Sequence, residues 1–401
     1  MWNEYSFSEL FLPTTILIAV IFLYALKTLR RPDLAFLIAV LKGCLFYTYF
    51  QFFSVNGYYL LDDIVYFNDS LNYWKEGNSF ISIILDSKKF AYLFSIAGGQ
   101  NILYFLYNIL SFDFFGGFYF APVCLNIILT VTSARIMYKF LQNIGFNNMI
   151  CKLYFVFFIL HWEIIAWSNF LNLKDTLVHT LTITSFYYLQ KLQLKQTKKV
   201  RTFLAVAFVM IVLSFLRFYI PLFMIFTFIT YRFLQFVNAI KDKKLRILIL
   251  VSVLFIGPLL CLQFLLSRYQ FEINLFLGSF TNPLFGAIRY LFTPIPWQIE
   301  PDYTFLFWPS VFNWISLPFM IYGIFMLFKM DNPGIKLLML YFILISIFYG
   351  CFGELQGPRH RLQIDFIIIL AQLIGVLSLW AGKGKVIDLD TKPSAFLIPQ
   401  T

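Results

Sequence analysis

Long apolar runs alternate with short polar segments along almost the whole chain. A helix that crosses the hydrocarbon core of a bilayer needs about 20 predominantly apolar residues, and eleven runs approach or reach that length. The pattern therefore predicts an all-α polytopic membrane protein with about eleven transmembrane helices. The predicted spans are 10–29, 34–53, 118–140, 150–167, 176–192, 203–216, 219–236, 247–266, 308–328, 337–352 and 366–380.

One interrupted run decides the predicted topology. The segment 203–236 is either a single helix or a hairpin of two short helices that turns at 217–221, where an Arg and a Pro interrupt it. Its flanks, 191–201 and 241–246, are the most basic stretches of the chain, and basic residues collect on the cytoplasmic side of membrane proteins. The hairpin brings both flanks to that side, so we predict an outer N-terminus and a cytoplasmic C-terminus.

This topology predicts one transmembrane domain over residues 1–382 and a short cytoplasmic tail over 383–401. Two long segments, 54–117 and 267–307, then lie outside. The stretch 81–112 in the first segment is amphipathic and carries charged residues among its apolar ones. It therefore predicts interfacial helices that lie along the membrane, in place of a further span.

Composition excludes a soluble enzyme. The chain is 60% hydrophobic and 13% charged, whereas soluble domains are about 45–50% apolar and about 25% charged. The formal net charge of +11 is explained by basic cytoplasmic ends of spans, so it does not indicate a nucleic-acid partner. The five cysteines are dispersed and support neither a disulfide framework nor a zinc site.

An acidic pair follows the second predicted span. Asp62 and Asp63 begin a predicted helix in which Tyr66 and Trp74 recur at helical spacing, and Gly77 ends it. Adjacent carboxylates at a membrane surface suit a general base or a ligand of Mg²⁺ or Mn²⁺. An Asp at a helix N-cap also stabilises the helix without any catalysis, and the residues by themselves leave both interpretations open.

A basic cluster precedes the last span. Arg359, His360 and Arg361 lie on the predicted outer side, with Glu354 close by in sequence. Outer arginines oppose the positive-inside trend, and Arg binds phosphate through a planar fork of donors. The cluster is therefore a candidate phosphate clamp, although snorkelling to headgroups or pairing with nearby acids also explains it.

Other candidate residues are dispersed along the predicted outer side. Arg217 lies at the hairpin turn, and Arg289 lies in a loop rich in Pro and aromatic residues. Lys174 precedes Asp175, which at the start of a helix also interacts favourably with the helix dipole. Glu163 lies within or at the edge of a span, where an ionisable side chain is usually functional.

The segment from Asp62 to Gly77 resembles the first outer loop of the GT-C glycosyltransferases, membrane enzymes that take sugars from polyprenyl-phosphate donors. The shared pattern is an acidic pair, Tyr66, a small residue (Ser70) and the terminal Gly. The bacterial protein O-mannosyltransferases and lipid A aminoarabinose transferases are the most similar branch. Residues 100–116, the turn at Arg217 and the segment 353–370 extend the resemblance; the family usually has Glu where this chain has Asp63.

The resemblance implies an inverting glycosyltransferase in a bacterial inner membrane, acting in surface glycan biosynthesis with its site facing outward. Asp62 or Asp63 is expected to activate an acceptor hydroxyl on a lipid, glycan or protein. Tyr66 and the basic candidates are expected to bind the donor, whose leaving phosphate needs positive charge. An O-antigen-type polysaccharide polymerase and a lipid-linked sugar flippase or transporter are the alternatives.

Overall fold

The computed structural model describes residues 5–54, 62–99, 101–193, 199–240, 242, 244, 282–299, 301–353 and 357–380. All secondary-structure elements in these ranges are helices. We number the α-helices in chain order: α1 Phe7–Leu29, α2 Pro32–Phe52, α3 Asp63–Lys75, α4 Phe80–Leu85, α5 Ser87–Ile96, α6 Ile102–Phe115, α7 Phe120–Asn143, α8 Asn148–Leu160, α9 Trp162–Asn169, α10 Asp175–Gln193, α11 Lys199–Ser214, α12 Tyr219–Ala239, α13 Pro283–Phe292, α14 Phe307–Lys329, α15 Pro333–Gly350, α16 Pro358–Arg361 and α17 Asp365–Trp380.

Seven helical segments of the described chain are long and apolar enough to cross a membrane, or eight if the bent pair α8–α9 is one span. The pair bends by 49° at His161. The seven are Phe7–Leu29, Pro32–Phe52, Phe120–Asn143, Tyr219–Ala239, Tyr303–Lys329, Pro333–Gly350 and Pro358–Trp380. The chain is therefore a polytopic helical membrane protein, as the apolar runs predict.

The remaining predicted spans have different outcomes. Residues 176–192 lie in α10, whose several polar side chains keep it out of the seven apolar segments. Most of 203–216 lies in α11, which with 16 residues is shorter than those segments. The break between α11 and α12 excludes one continuous helix over 203–236, and the hairpin stays a prediction. The predicted span 247–266 and the tail 383–401 lie outside the described residues.

The helices group into two compact units. The first contains residues 1–221, 294–329 and 362–401, and the second contains 222–293 and 330–361.

In the first unit, the helices α3 to α6 connect α2 to α7 and form a small layer of their own. Asp113 on α6 holds this layer together, because one carboxylate oxygen accepts from Trp74 Nε1 and the other from the backbone N–H of Phe80, both at 2.8 Å. Gly98 and Gly99, at φ +61° and +74°, form the break between α5 and α6. The stretch 81–112 is thus interrupted at this glycine pair.

The helices α14 and α17 cross closely in the first unit. A Cβ at Gly323 would overlap the backbone carbonyl of Ala371, and a Cβ at Gly375 would overlap that of Phe319. Small residues allow transmembrane helix backbones to approach in this way, and van der Waals packing then stabilises the pair. A buried Gln372 on α17 adds hydrogen bonds to His161 (2.8 Å) and Ser316 (3.0 Å).

In the second unit, α13 packs against α15. Gly350 allows the contact, since a Cβ there would overlap backbone atoms of Pro283 and Ala287. Tyr290 on α13 lies 5.0 Å from Tyr349 on α15, measured between ring centroids. The basic cluster 359–361 follows α15 in the chain and belongs to the same unit.

Candidate functional site

The two carboxylates of the acidic pair have different surroundings. Asp63, the first residue of α3, is fully buried, whereas Asp62 is exposed. Tyr66 lies one turn further along α3, is buried, and its hydroxyl is 3.5 Å from Asp62 Oδ2. The helix ends at Lys75, and Gly77 (φ +83°) donates its N–H to Trp74, as the sequence predicts.

Tyr119, immediately before α7, binds the buried carboxylate. Its hydroxyl donates to Asp63 Oδ2 at 2.5 Å and accepts a hydrogen bond from the backbone N–H of Asn172 at 3.3 Å. Burial, followed by the nearby Asp63 carboxylate, raises the pKa of the Tyr119 hydroxyl well above its usual range. The phenol therefore stays protonated and donates throughout the physiological pH range.

The side chain of Asn172 extends this arrangement to α6. Its Oδ1 accepts from the Tyr104 hydroxyl at 2.7 Å, and its Nδ2 donates to Asn108 Oδ1 at 2.8 Å. Asn108 in turn donates to the Tyr104 carbonyl at 2.8 Å. All three side chains are fully buried, so these hydrogen bonds form away from water, where an unmade one is costly.

Lys174 is two residues after Asn172 and contacts Tyr66 of the acidic helix α3. Its ammonium group donates to Asn101 Oδ1 at 2.7 Å and lies 5.6 Å from the centroid of the Tyr66 ring. Asn101 is neutral, and this hydrogen bond uses one of the three ammonium donors of Lys174. Tyr66 thus contacts both Asp62, through its hydroxyl, and Lys174, through its ring.

Asp175 and Arg217 form a buried ion pair beside Lys174. The Arg217 guanidinium contacts the Asp175 carboxylate, and the two side chains are 8% and 1% exposed. A second nitrogen of Arg217 donates to the Tyr219 hydroxyl at 2.7 Å. The pair joins the start of α10 to the turn between α11 and α12, so much of the charge of Arg217 is compensated inside the protein.

We predict that Arg217→Ala destabilises the protein by about 3 kcal/mol or more, because it leaves a buried carboxylate without its counter-ion. The thermal unfolding midpoint in detergent measures the loss. The exposed pair Arg31–Asp33, with side chains 67% and 62% exposed, provides the matched control, and Arg31→Ala should change the midpoint little. Equal shifts in the two variants would contradict the buried pair's structural role.

The basic cluster before the last span lies in the second unit. Arg361 is buried, and one guanidinium nitrogen donates to the backbone carbonyls of Leu291 (2.9 Å) and Thr293. The His360 ring stacks on Tyr349 at 5.5 Å, and the His360 carbonyl accepts from Tyr290. Arg361 thereby anchors the end of α13, and phosphate binding by Arg359, His360 and Arg361 stays a prediction.

Three further candidates were predicted from the sequence, and their outcomes differ. Glu163 is buried in the first turn of α9, just after the bend at His161. Arg289 is exposed on α13 in the second unit. Glu354 lies outside the described residues.

Metal binding by the acidic pair also stays a prediction. Among the described residues, no three His, Cys, Asp or Glu side chains are grouped so that they could hold a metal ion. Mg²⁺ is often held by one or two carboxylates together with substrate phosphates. Here Asp62 is the exposed carboxylate of the pair, and one oxygen of Asp63 already accepts from Tyr119.

Comparison with known proteins returned no matching family model, no matching curated protein and no matching solved structure.

The neutral residues around the acidic pair were not predicted from the sequence. Tyr104, Asn108, Tyr119 and Asn172 are buried and connect the acidic pair to the Lys174 segment. A signal was present, because Asn108 is an amide within the apolar stretch 102–115. A buried amide requires hydrogen-bond partners, although the sequence does not say which ones.

Proposed function

We propose that the chain is an inverting glycosyltransferase that moves a sugar from a polyprenyl-phosphate donor to an acceptor hydroxyl at the outer face of a bacterial inner membrane. One observation carries this proposal. An exposed carboxylate, Asp62, and a cation, Lys174, both contact Tyr66, the first at its hydroxyl and the second at its ring. Transfer of a sugar from a phosphate needs these two groups, a base for the nucleophile and positive charge for the leaving group.

Asp62 is the better candidate for the base. A general base must reach the proton that it removes, and Asp62 is exposed while Asp63 is buried beneath it and bound to Tyr119. In the proposed reaction Asp62 accepts the proton of the acceptor hydroxyl. The oxygen attacks the anomeric carbon as the bond from that carbon to the phosphate oxygen breaks, which inverts the configuration.

Lys174 is the better candidate for the leaving group's counter-charge. Negative charge develops on the departing lipid phosphate, and the Lys174 ammonium lies beside the ring of Tyr66, whose hydroxyl faces Asp62. Arg217 lies in the same part of the unit but forms an ion pair with Asp175. We therefore assign Arg217 to holding the Lys174–Asp175 segment, with at most a weaker direct role at the phosphate.

The eleven-span topology with an outward-facing site belongs to the same proposal. Its support is the distribution of basic residues and the surface of α4 and α5. Ile81, Leu85, Tyr92 and Phe94 are 68%, 81%, 56% and 44% exposed, which is typical of amphipathic helices that bury one face in the headgroup region.

The experiment that tests the proposal compares a strain deleted for this gene with its parent. Mass spectrometry of surface glycans, lipids and exported proteins should show one sugar residue missing from one acceptor class. Re-expression of the wild-type chain should restore it. An unchanged inventory in all three fractions would refute the transferase assignment, and accumulation of intact lipid-linked glycan on the cytoplasmic side would favour a flippase.

A further inference from the structure

The acidic pair is part of a closed circuit of contacts that consists of side chains and one backbone N–H, that of Asn172. Asp63 accepts from Tyr119, Tyr119 accepts from Asn172, and Asn172 accepts from Tyr104. The Tyr104 ring meets the Tyr66 ring edge-on at 5.0 Å, and the Tyr66 hydroxyl faces Asp62. The circuit therefore starts at one carboxylate of the pair and returns to the other.

We infer that Tyr119 is a positioning residue for this pair: by binding Asp63 it fixes the start of α3 and thereby the direction of the Asp62 carboxylate. The inference rests on the proposed function. Tyr119 itself is 1% exposed, so it acts through Asp63 without touching the substrate.

The circuit also links the base to the proposed phosphate site. Asn172 is two residues before Lys174, and its backbone and side chain are both bonded within the circuit. The same hydrogen bonds that hold Asp63 thus hold the segment that carries Lys174. A displacement of about 1 Å between reacting groups can cost about 100-fold in rate. The rate of the proposed reaction therefore depends on the distance between Asp62 and Lys174.

The geometry around Tyr119 allows a conservative test. Its ring packs edge-on against Phe67 at 5.5 Å, a contact that Phe at position 119 retains. Tyr119→Phe therefore removes one hydroxyl and keeps the packing. The matched control is Tyr154→Phe, which also removes a buried hydroxyl, one that donates to the Phe366 carbonyl at 2.8 Å elsewhere in the unit.

The experiment measures sugar transfer by purified, detergent-solubilised protein. The donor is the polyprenyl-phosphate ester of the sugar that is missing in the deletion strain. We expect Tyr119→Phe to lower kcat by about 10- to 100-fold while the donor KM stays within about threefold. Tyr154→Phe should leave kcat within about threefold of the wild type, and size-exclusion profiles should be alike.

A double variant tests whether Tyr119 acts through Asp63. A hydrogen bond to a neutral amide is weaker than one to a carboxylate, so Tyr119→Phe should lower kcat less in the Asp63→Asn background than in the wild type. Equal losses of kcat in Tyr119→Phe and Tyr154→Phe, or a loss confined to KM, would overturn the inference and leave the transferase proposal intact. Absence of transfer by the wild type, or full activity of both Asp62→Asn and Asp63→Asn, would instead overturn both.

Discussion

Asp62→Asn is expected to abolish sugar transfer, with kcat reduced by about 10³-fold or more. The substitution keeps the size and hydrogen-bonding shape of the exposed side chain but removes its ability to accept a proton, and general-base catalysis contributes about 10²- to 10⁴-fold. Restoration of the missing surface sugar in the deletion strain gives a first readout. Initial rates with purified protein then give the magnitude.

Asp63→Asn is the matched control for this prediction. It keeps an oxygen that accepts from Tyr119 and alters the buried member of the pair, so we expect measurable residual activity, clearly above that of Asp62→Asn. If Asp63→Asn were inactive and Asp62→Asn active, the roles of the two carboxylates would be reversed. Full activity of both variants would remove the acidic pair from the chemistry altogether.

Gly323→Ala is expected to cause the largest loss of stability among Gly→Ala substitutions in the described chain. The added Cβ would overlap the carbonyl of Ala371, so α14 and α17 would have to separate. Overpacking a well-packed contact typically costs 1–3 kcal/mol and at times more, and we expect about 3 kcal/mol here because the obstacle is backbone. The unfolding midpoint in detergent measures it.

Gly43→Ala provides the comparison. Gly43 also lies in a transmembrane helix, but a Cβ there would meet the side chain of Ile18, whose terminal atoms can change rotamer. Its midpoint should therefore fall by much less than that of Gly323→Ala. Similar midpoints for the two variants would mean that α14 and α17 do not cross at their glycines.

Several helix ends were predictable because their signals are local. The apolar run 10–29 corresponds to α1, whose start is set by a capping box: Ser6 accepts from the N–H of Glu9, and Glu9 accepts from the N–H of Ser6. The end of α3 near Gly77 was predictable for the same reason. The bend at His161 was not, because neither Pro nor Gly marks it and the run 150–167 reads as one apolar helix.

The candidate site was predictable only in part. The positions of Asp62, Asp63 and Tyr66 on one helix follow from their spacing, and Lys174, Asp175 and Arg217 were recognisable as charges at the ends of apolar runs. Their assembly was not predictable. Asp175 and Arg217 are 42 residues apart and Asp63 and Tyr119 are 56 apart, and only the packing of separate helices brings such residues together.

The apolar runs of the sequence are enough to predict a polytopic helical membrane protein, because their length and composition decide whether a helix can reside in a bilayer. The sequence also predicts an acidic pair at the start of a helix, because helical spacing depends on only a few neighbouring residues. The tertiary structure decided which carboxylate is buried and which is exposed. It also decided that Tyr119, Tyr104 and Asn172 surround the pair, because burial and long-range hydrogen bonds depend on which helices meet.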